Sequence, residues 1–463
     1  MRDYMKKILE KALEKITPTK KEILAQKKLA EEIKNKILSM KYQQESVELV
    51  GSLARETNLK GDNDLDIFVF FPEKIERPEF EKQGLAIGKL VFRGWQWEKA
   101  YSEHPYIRGK IKGFDVEIVP AYRIIDAYKL KSAVDRTSFH NQYLLCQLSE
   151  KQKGEVRLLK QFLKGIKAYG ADLKYSSVPG YVTELLILNY GTFEKTIKHI
   201  SKWNNQEIID IEKQISSEEA RKKFDSPLII IDPVDKNRNV AAALSLNQYA
   251  RIIAASRAFL KKPSLKFFFG TKTKPLNIKE TKKLIEKEGL ILTEIGYPKK
   301  EISDVLWGQI RRLSKKISSS LKQKDFSVLR SEMWSDEEKE IILVFDLEAN
   351  KLEKVKKRIG PEVTNEEHSE KFLEAHKKKI SGPRIEEGRW VVEIERKHNR
   401  ATDYLQEFLK KLKKSEKAGL RKGLNKKAKV LSNKEVLEKY KKNKKFQKWF
   451  STYLKGKEEF EEY

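Results

Sequence analysis

Cysteine is almost missing: Cys146 is its single representative among 463 residues. No disulfide can form within the chain and no zinc site can be built from cysteines, which points to a reducing, intracellular setting. Cys146 itself is expected to be a small buried apolar residue. Long apolar runs are missing too, since no stretch approaches the roughly 18 apolar residues that span a bilayer. Met1-Arg2-Asp3-Tyr4-Met5-Lys6-Lys7 leads into an amphipathic stretch with no signal-peptide apolar block. The expectation is a soluble, cytoplasmic protein with no membrane partner. There is no internal repeat and no low-complexity linker, which excludes collagen-like and mucin-like chains.

Negative charge is also in short supply. Against 97 Lys and Arg stand 68 Asp and Glu, a formal net charge of +29. With 39% hydrophobic and 10% aromatic residues there is enough apolar mass for real cores, and the length suggests roughly three or four domains. Such an excess favours a polyanionic partner, because each neutralised phosphate releases condensed counterions. An anionic membrane surface or plain solubility would also account for it. The excess is not spread evenly. Residues 410–448 hold 17 Lys or Arg against three Glu, about half of the total, and keep Leu412, Leu420, Leu424, Val430, Leu437, Tyr440 and Phe446 among them. That pattern predicts basic helices with an apolar side rather than a featureless tail.

Residues 1–41 read as helix with a break at Thr17-Pro18-Thr19, because proline suits the first turn of a new helix but not the interior of one. The period then changes to two. Glu45–Val50 and Asp64–Phe71 read as strands, with the tight turn Gly51-Ser52-Leu53-Ala54-Arg55 opening a short helix between them. Tyr106–Ile111, a Lys112-Gly113 turn and Phe114–Pro120 read as a hairpin. Helices are expected over 153–170, 180–191 and 242–260, and a strand over Leu228–Ile231. Beyond 260 the pattern is α+β, with strands near Leu265–Phe269, Glu340–Phe345 and Arg389–Glu395 and helices near 301–324 and 401–413.

The chemistry concentrates on the first strands. Asp64 and Asp66 flank Leu65, so the two-residue period puts both carboxylates on one face. On its own this pattern is more often a solvated face; a divalent cation would relieve the repulsion, and magnesium suits hard oxygen ligands, waters and substrate phosphates. Asp115 and Glu117 repeat the spacing on another strand and offer a third carboxylate. Three acids from two strands suit a site with two metal ions, one lowering the pKa of an attacking hydroxyl and one holding a triphosphate. Gly51 lets the backbone approach a ligand, the Ser52 hydroxyl can bond a phosphate oxygen, and Arg55 supplies a fixed positive charge.

Gly51-Ser52 followed after eleven residues by Asp64-Leu65-Asp66-Ile67 resembles the polymerase-β-like nucleotidyltransferase superfamily. The fuller runs Gly51–Asn58 and Asp62–Val69 are similar to the class I, archaeal CCA-adding enzymes. So, in order, are Val116–Tyr122, Ser132–His140, Glu155–Lys160, Gly180-Tyr181 with Glu184–Ile187, and Asp232–Ala241. The resemblance is dense over 45–260 and thinner beyond, where Gly388-Arg389-Trp390 still matches. It implies an α+β, multidomain chain: a nucleotidyltransferase head over 1–140, a helical neck over 141–260, and an α+β body and tail over 261–463. It also implies template-independent addition of C, C and A to the 3′ end of tRNA from CTP and ATP, with magnesium as cofactor, and homodimers are common among relatives. Asp64, Asp66 and Glu117 match the catalytic metal ligands, with Asp115 left as the alternative third ligand because the family more often has Asp at position 117. Ser52 and Arg55 match triphosphate contacts, Thr137, His140, Lys160 and Tyr169 match nucleotide-binding positions, and Arg238 matches the arginine near the incoming base. The basic C-terminal stretch, with Lys441, Lys442, Lys444 and Lys445, is assigned to the tRNA backbone. The rival expectations are another superfamily nucleotidyltransferase, such as a poly(A) polymerase or an oligoadenylate synthetase, or a non-catalytic RNA-binding protein on the same scaffold.

Overall fold

A computed structural model of the chain describes all residues except 1, 102, 127–129, 171–175, 271–273, 287–288, 299–302, 416–417 and 463. It divides into two compact units, one formed by residues 1–272 with 458–463 and the other by 273–457.

In the first unit the helices α1 (Arg2–Ile16) and α2 (Lys20–Leu38) are separated at the expected proline, and Thr19 caps α2 in a reciprocal box with Glu22. Then come β1 (Ser46–Val50), the single turn α3 (Gly51–Ala54), β2 (Asp64–Pro72), α4 (Arg77–Val91), β3 (Trp97–Tyr101), β4 (Pro105–Ile111) and β5 (Phe114–Arg123). The five strands form one sheet in the order β1-β2-β5-β4-β3, with β2 and β5 parallel and the other pairs antiparallel. Strand period decides what each face does. Leu65, Ile67, Val69 and Phe71 pack with α2 and α4 through Leu29, Ile33, Ile87 and Val91. The opposite face of β2 begins with Asp64 and Asp66 and turns apolar at Phe68 and Phe70, which pack with Val119 and Val134. The carboxylates therefore occupy the open end of a face whose other end is core.

The helical part follows as α5 (Arg136–Gln147), α6 (Glu150–Gly165), α7 (Gly180–Tyr190), α8 (Phe193–Ile200), β6 (Glu207–Ile209), α9 (Ser217–Lys223), β7 (Leu228–Asp232), β8 (Asp235–Asn239), α10 (Leu246–Lys261) and α11 (Lys266–Phe269). Helix α1 packs here rather than on the sheet: Met5, Ile8, Ala12 and Ile16 share one core with Leu159, Phe162, Leu186 and Phe259, and Phe460 joins it.

Two expectations are corrected in this unit. Leu265–Phe269 is not a strand but a helical turn that Gly270 ends at φ +67°, because Phe267 and Phe268 fold onto Phe162 and Phe259 in one aromatic cluster. Gly165 makes room for it, since a Cβ there would lie 2.0 Å from the Phe267 carbonyl oxygen. Cys146 is exposed rather than buried, because the buried face of α5 runs through Asn141 and Leu144, and Cys146 lies two residues, about 200° of helix, beyond Leu144.

The second unit contains α12 (Ile278–Ile285), β9 (Leu290–Gly296), α13 (Ser303–Gln323), β10 (Val328–Ser335), β11 (Glu340–Leu347), β12 (Val355–Glu362), α14 (Glu366–Ala375), β13 (Ser381–Glu386), β14 (Arg389–Glu395), α15 (Ala401–Ser415), α16 (Ala418–Lys426), β15 (Ala428–Leu431), α17 (Asn433–Lys442) and α18 (Lys444–Lys455). Its main sheet has the order β10-β11-β9-β15, and β12-β14-β13 form a second. Both faces of the main sheet are covered. Ile341, Leu343 and Phe345 meet Ile310, Ile317 and Leu405 on one side, while Ile342 and Val344 meet Val436, Tyr440 and Phe446 on the other. The basic stretch thus falls on four helices with buried apolar sides, α15 to α18, and Val430 lies on the short strand β15 between α16 and α17.

Candidate active site

Register brings the acids together. Because β2 and β5 run parallel with Asp64 opposite Asp115 and Asp66 opposite Glu117, all four carboxylates lie on one face. The row continues outward: Arg108 of β4 lies opposite Glu117, and Lys110 opposite Asp115. Asp64, Glu117, Asp115, Arg108, Lys110 and Glu98 line a cleft of about 610 Å³. Asp115 is exposed, at 2.9 Å from Lys110, whereas Glu117 is half-buried and accepts a 3.4 Å hydrogen bond from Tyr106 Oη.

The acids hold one another in check. Burial and the nearby charges of Glu117 and Asp64 push the Asp66 carboxyl up to about 7, with Arg55 opposing. Burial raises Asp64 as well, helped by Asp62 and Asp115. Burial likewise raises Glu117, against the pull of Arg108 and the Tyr106 hydroxyl. Carboxylates raised by burial and crowded by one another are short of positive charge, which a hard divalent cation would supply. The described residues contain no group of three or more His, Cys, Asp or Glu gathered into a ready cage. Gly51 fits the same picture, for its φ is +78° and a Cβ would lie 2.2 Å from Asp66 Oδ2.

Beside the acids lies a buried cluster with the opposite imbalance. The helix α3 stops at Ala54, and Arg55 is its C-cap. Its Nε and Nη2 donate to the two oxygens of Glu184 at 3.0 and 2.9 Å, and Nη1 donates to Asn141 Oδ1 at 3.0 Å. Lys160 Nζ donates to the Thr57 carbonyl and hydroxyl oxygens, both at 3.1 Å, and lies 3.8 Å from Glu184. Burial pulls the Lys160 amine down to about 8, with Glu184 opposing and Arg55 adding to the fall. Burial works to raise Glu184 too, but Arg55 and Lys160 outweigh it and hold the carboxyl low. Two cations face one anion, so the cluster carries a surplus positive charge next to a surplus of negative charge.

A second buried acid gathers His140 and Arg238. Asp232 Oδ2 accepts from His140 Nε2 at 2.8 Å and from Arg238 Nη1 at 2.7 Å, and Tyr181 stacks on the His140 ring at 4.1 Å. These two partners hold Asp232 ionised against its burial, so Nε2 carries the proton. Burial lowers the His140 pKa. The two clusters share their helices: His140 and Asn141 are neighbours on α5, and Tyr181 and Glu184 are three residues apart on α7.

Of the remaining expected residues, Ser52 is half-buried on α3, and its carbonyl accepts the Thr57 N–H at 2.8 Å. Thr137 is half-buried in the first turn of α5. Tyr169 lies beyond the end of α6 in an isolated bridge with Val178, and Lys164 Nζ is 5.5 Å from its ring centroid. Lys441 and Lys442 on α17 and Lys444 and Lys445 on α18 are all exposed. The sequence reading gives no role to Glu184 or Asp232, although each is an acid in or ending an apolar run, the sign of a buried charge that must find partners.

Comparison with known proteins agrees with this geometry. Residues 27–140 match the nucleotidyltransferase domain, 154–269 the tRNA nucleotidyltransferase second domain, and 289–433 the C-terminal domain of CCA-adding enzymes. The CCA-adding enzyme of Methanosarcina mazei is 39% identical over 86% of this chain and 88% of its own length. That of Archaeoglobus fulgidus is 37% identical over 83% and 85%, and that of Methanocaldococcus jannaschii 37% over 81% and 85%. With three domain matches in order and this identity over most of its length, the chain belongs to the family of CCA-adding enzymes.

Proposed function

We propose that the acidic face of the first unit performs the family's nucleotidyl transfer on tRNA with Asp64, Asp66 and Glu117 as its catalytic carboxylates. The observation that carries this is the pairing of two charge surpluses: buried carboxylates set side by side on β2 and β5, beside Arg55 and Lys160 with Glu184 between them. A nucleoside triphosphate with its divalent cations complements both. Asp64, Asp66 and Glu117 would hold magnesium, taken as two ions, which when bound neutralises phosphate charge and favours ionisation of the attacking hydroxyl.

In the reaction the 3′ oxygen of the tRNA bonds to the α-phosphorus of CTP or ATP. The bond from that phosphorus to the bridging oxygen breaks, and pyrophosphate leaves. Arg55 and Lys160 set a positive wall against the phosphates, and Ser52 with the backbone around Gly51 completes their cradle. Thr137, Tyr169 and the His140–Asp232–Arg238 group enclose the rest of the nucleotide. Lys441, Lys442, Lys444 and Lys445 hold the RNA backbone, where recognition by shape and phosphate serves every tRNA alike. The work of the protein is positioning and charge complementarity.

Labelled CTP and a tRNA lacking its CCA end test the assignment with single variants. Asp64→Asn, Asp66→Asn and Glu117→Gln are expected to lose activity by a factor on the order of 10²–10³ or more, while Asp115→Asn stays within about tenfold of wild type because its partner is an exposed lysine. Near-normal Glu117→Gln beside inactive Asp115→Asn would transfer the third role to Asp115.

A further inference from the structure

Glu184 touches no substrate in the transfer just described, yet its carboxylate is fully buried, and among the described residues it bonds Arg55 and Thr57 and lies 3.8 Å from Lys160. Oε2 accepts from Arg55 Nη2, and Oε1 accepts from Arg55 Nε and, at 2.5 Å, from the Thr57 hydroxyl. That hydroxyl in turn accepts from Lys160 Nζ. Protons are therefore donated from Lys160 to Thr57 and on to Glu184, and from Arg55 to Glu184 on the other side, so the hydroxyl of Thr57 has one orientation. Three of the five guanidinium N–H groups of Arg55 are taken up by Glu184 and Asn141, and the other two have no acceptor among the described residues, which leaves them for an outside one.

We propose that Glu184 is a positioning residue of the nucleotide site, holding Arg55 by two bonds and Lys160 through Thr57 so that the substrate's phosphates meet cations already oriented. This rests on the nucleotidyl-transfer reading above. A long cation in water loses rotamer freedom when it binds a phosphate; Arg55 and Lys160 have lost it before the nucleotide arrives. Glu184 also offsets one of two like charges that would otherwise repel each other in a buried space. Packing alone gives no reason for an acid at this point of α7, whose neighbours Val182, Leu185, Leu186 and Ile187 are buried and apolar.

Glu184→Gln preserves the shape and removes the charge. Steady-state addition of CMP to tRNA lacking its CCA end gives KM for CTP, KM for tRNA and kcat separately, with the melting temperature recorded beside them. The proposal predicts that KM for CTP, and likewise for ATP, rises about tenfold or more while KM for tRNA stays within about twofold. Should Glu184→Gln fail to fold, Thr57→Val decides, because it removes the hydroxyl relay and leaves all three charges. It is expected to raise KM for CTP about threefold, and Thr57→Ser to restore it. An unchanged KM for CTP in folded Glu184→Gln, or in Thr57→Val where Glu184→Gln does not fold, overturns the proposal. So do equal rises in KM for CTP and for tRNA, which mark a structural defect. A wild-type protein that adds no nucleotide at all overturns the underlying reading instead.

Discussion

Gly51 and Asp66 are fitted to each other: the backbone at Gly51 takes φ +78°, and the space its side chain would fill, 2.2 Å from Asp66 Oδ2, belongs to the carboxylate. Gly51→Ala is therefore expected to do two separable things. It strains a left-handed backbone position by about 1 kcal/mol, a small loss of melting temperature. It also displaces Asp66, and a misplaced catalytic group costs on the order of 10² in rate. CMP incorporation that falls in step with the folded fraction would show that Gly51 serves the backbone alone.

The pH profile of the nucleotide side follows from Lys160. Its amine titrates near 8 because it is buried beside Arg55, so the free enzyme holds the cation below that pH and loses it above. The kcat/KM for CTP, which reports the free enzyme, is expected to fall as pH rises through 8. In Lys160→Arg the guanidinium stays charged and the fall moves to higher pH. The same inflection in both proteins would assign it to another group.

Much of this was legible in the sequence, and the reason is periodicity. The two-residue spacing at Asp64–Asp66 and Asp115–Glu117 fixes which side chains share a face, and the Thr17-Pro18-Thr19 break, β2, the β4–β5 hairpin and the second-unit strands β11 and β14 stand at the residues expected. What the pattern does not contain is distance across the fold. Arg55 meets Glu184 over 129 positions and His140 meets Asp232 over 92, so the partners that decide what these cations do are invisible to local spacing. The same holds for Leu265–Phe269, where an apolar run suited to a strand folds as a turn because its phenylalanines pack onto the distant Phe162.

On helix α17 neighbouring lysines have different duties. Lys439 is half-buried between Glu294 and Glu340, an ion pair that ties the helix to the main sheet. Lys427 also reaches Glu294, at 2.7 Å, so Lys439→Ala leaves that buried acid one of its two cations and is expected to destabilise the second unit by about 2 kcal/mol, read as a lower denaturation midpoint. Lys441, two residues on, pairs with exposed Glu438, and its replacement should leave the midpoint within about 0.5 kcal/mol. Equal effects at the two positions would contradict the division.

Neutralising Lys441, Lys442, Lys444 and Lys445 together is expected to weaken tRNA binding and to flatten its salt dependence, with the logarithmic slope falling by about 1 for each phosphate no longer neutralised. The melting temperature should hardly move, since all four side chains are exposed. Binding that is unchanged at low and at moderate salt would remove these lysines from the RNA surface.

If this chain builds the CCA end of tRNA on the carboxylates of β2 and β5, the direct measurement is addition itself. It offers tRNA lacking that end to the wild-type protein with magnesium and labelled CTP and ATP, alone and together, beside the Asp64→Asn, Asp66→Asn double variant. Two C additions followed by one A and then arrest are expected from the wild type, and no addition from the variant. Addition from ATP alone that continues without stopping, or equal addition by the variant, would contradict this reading.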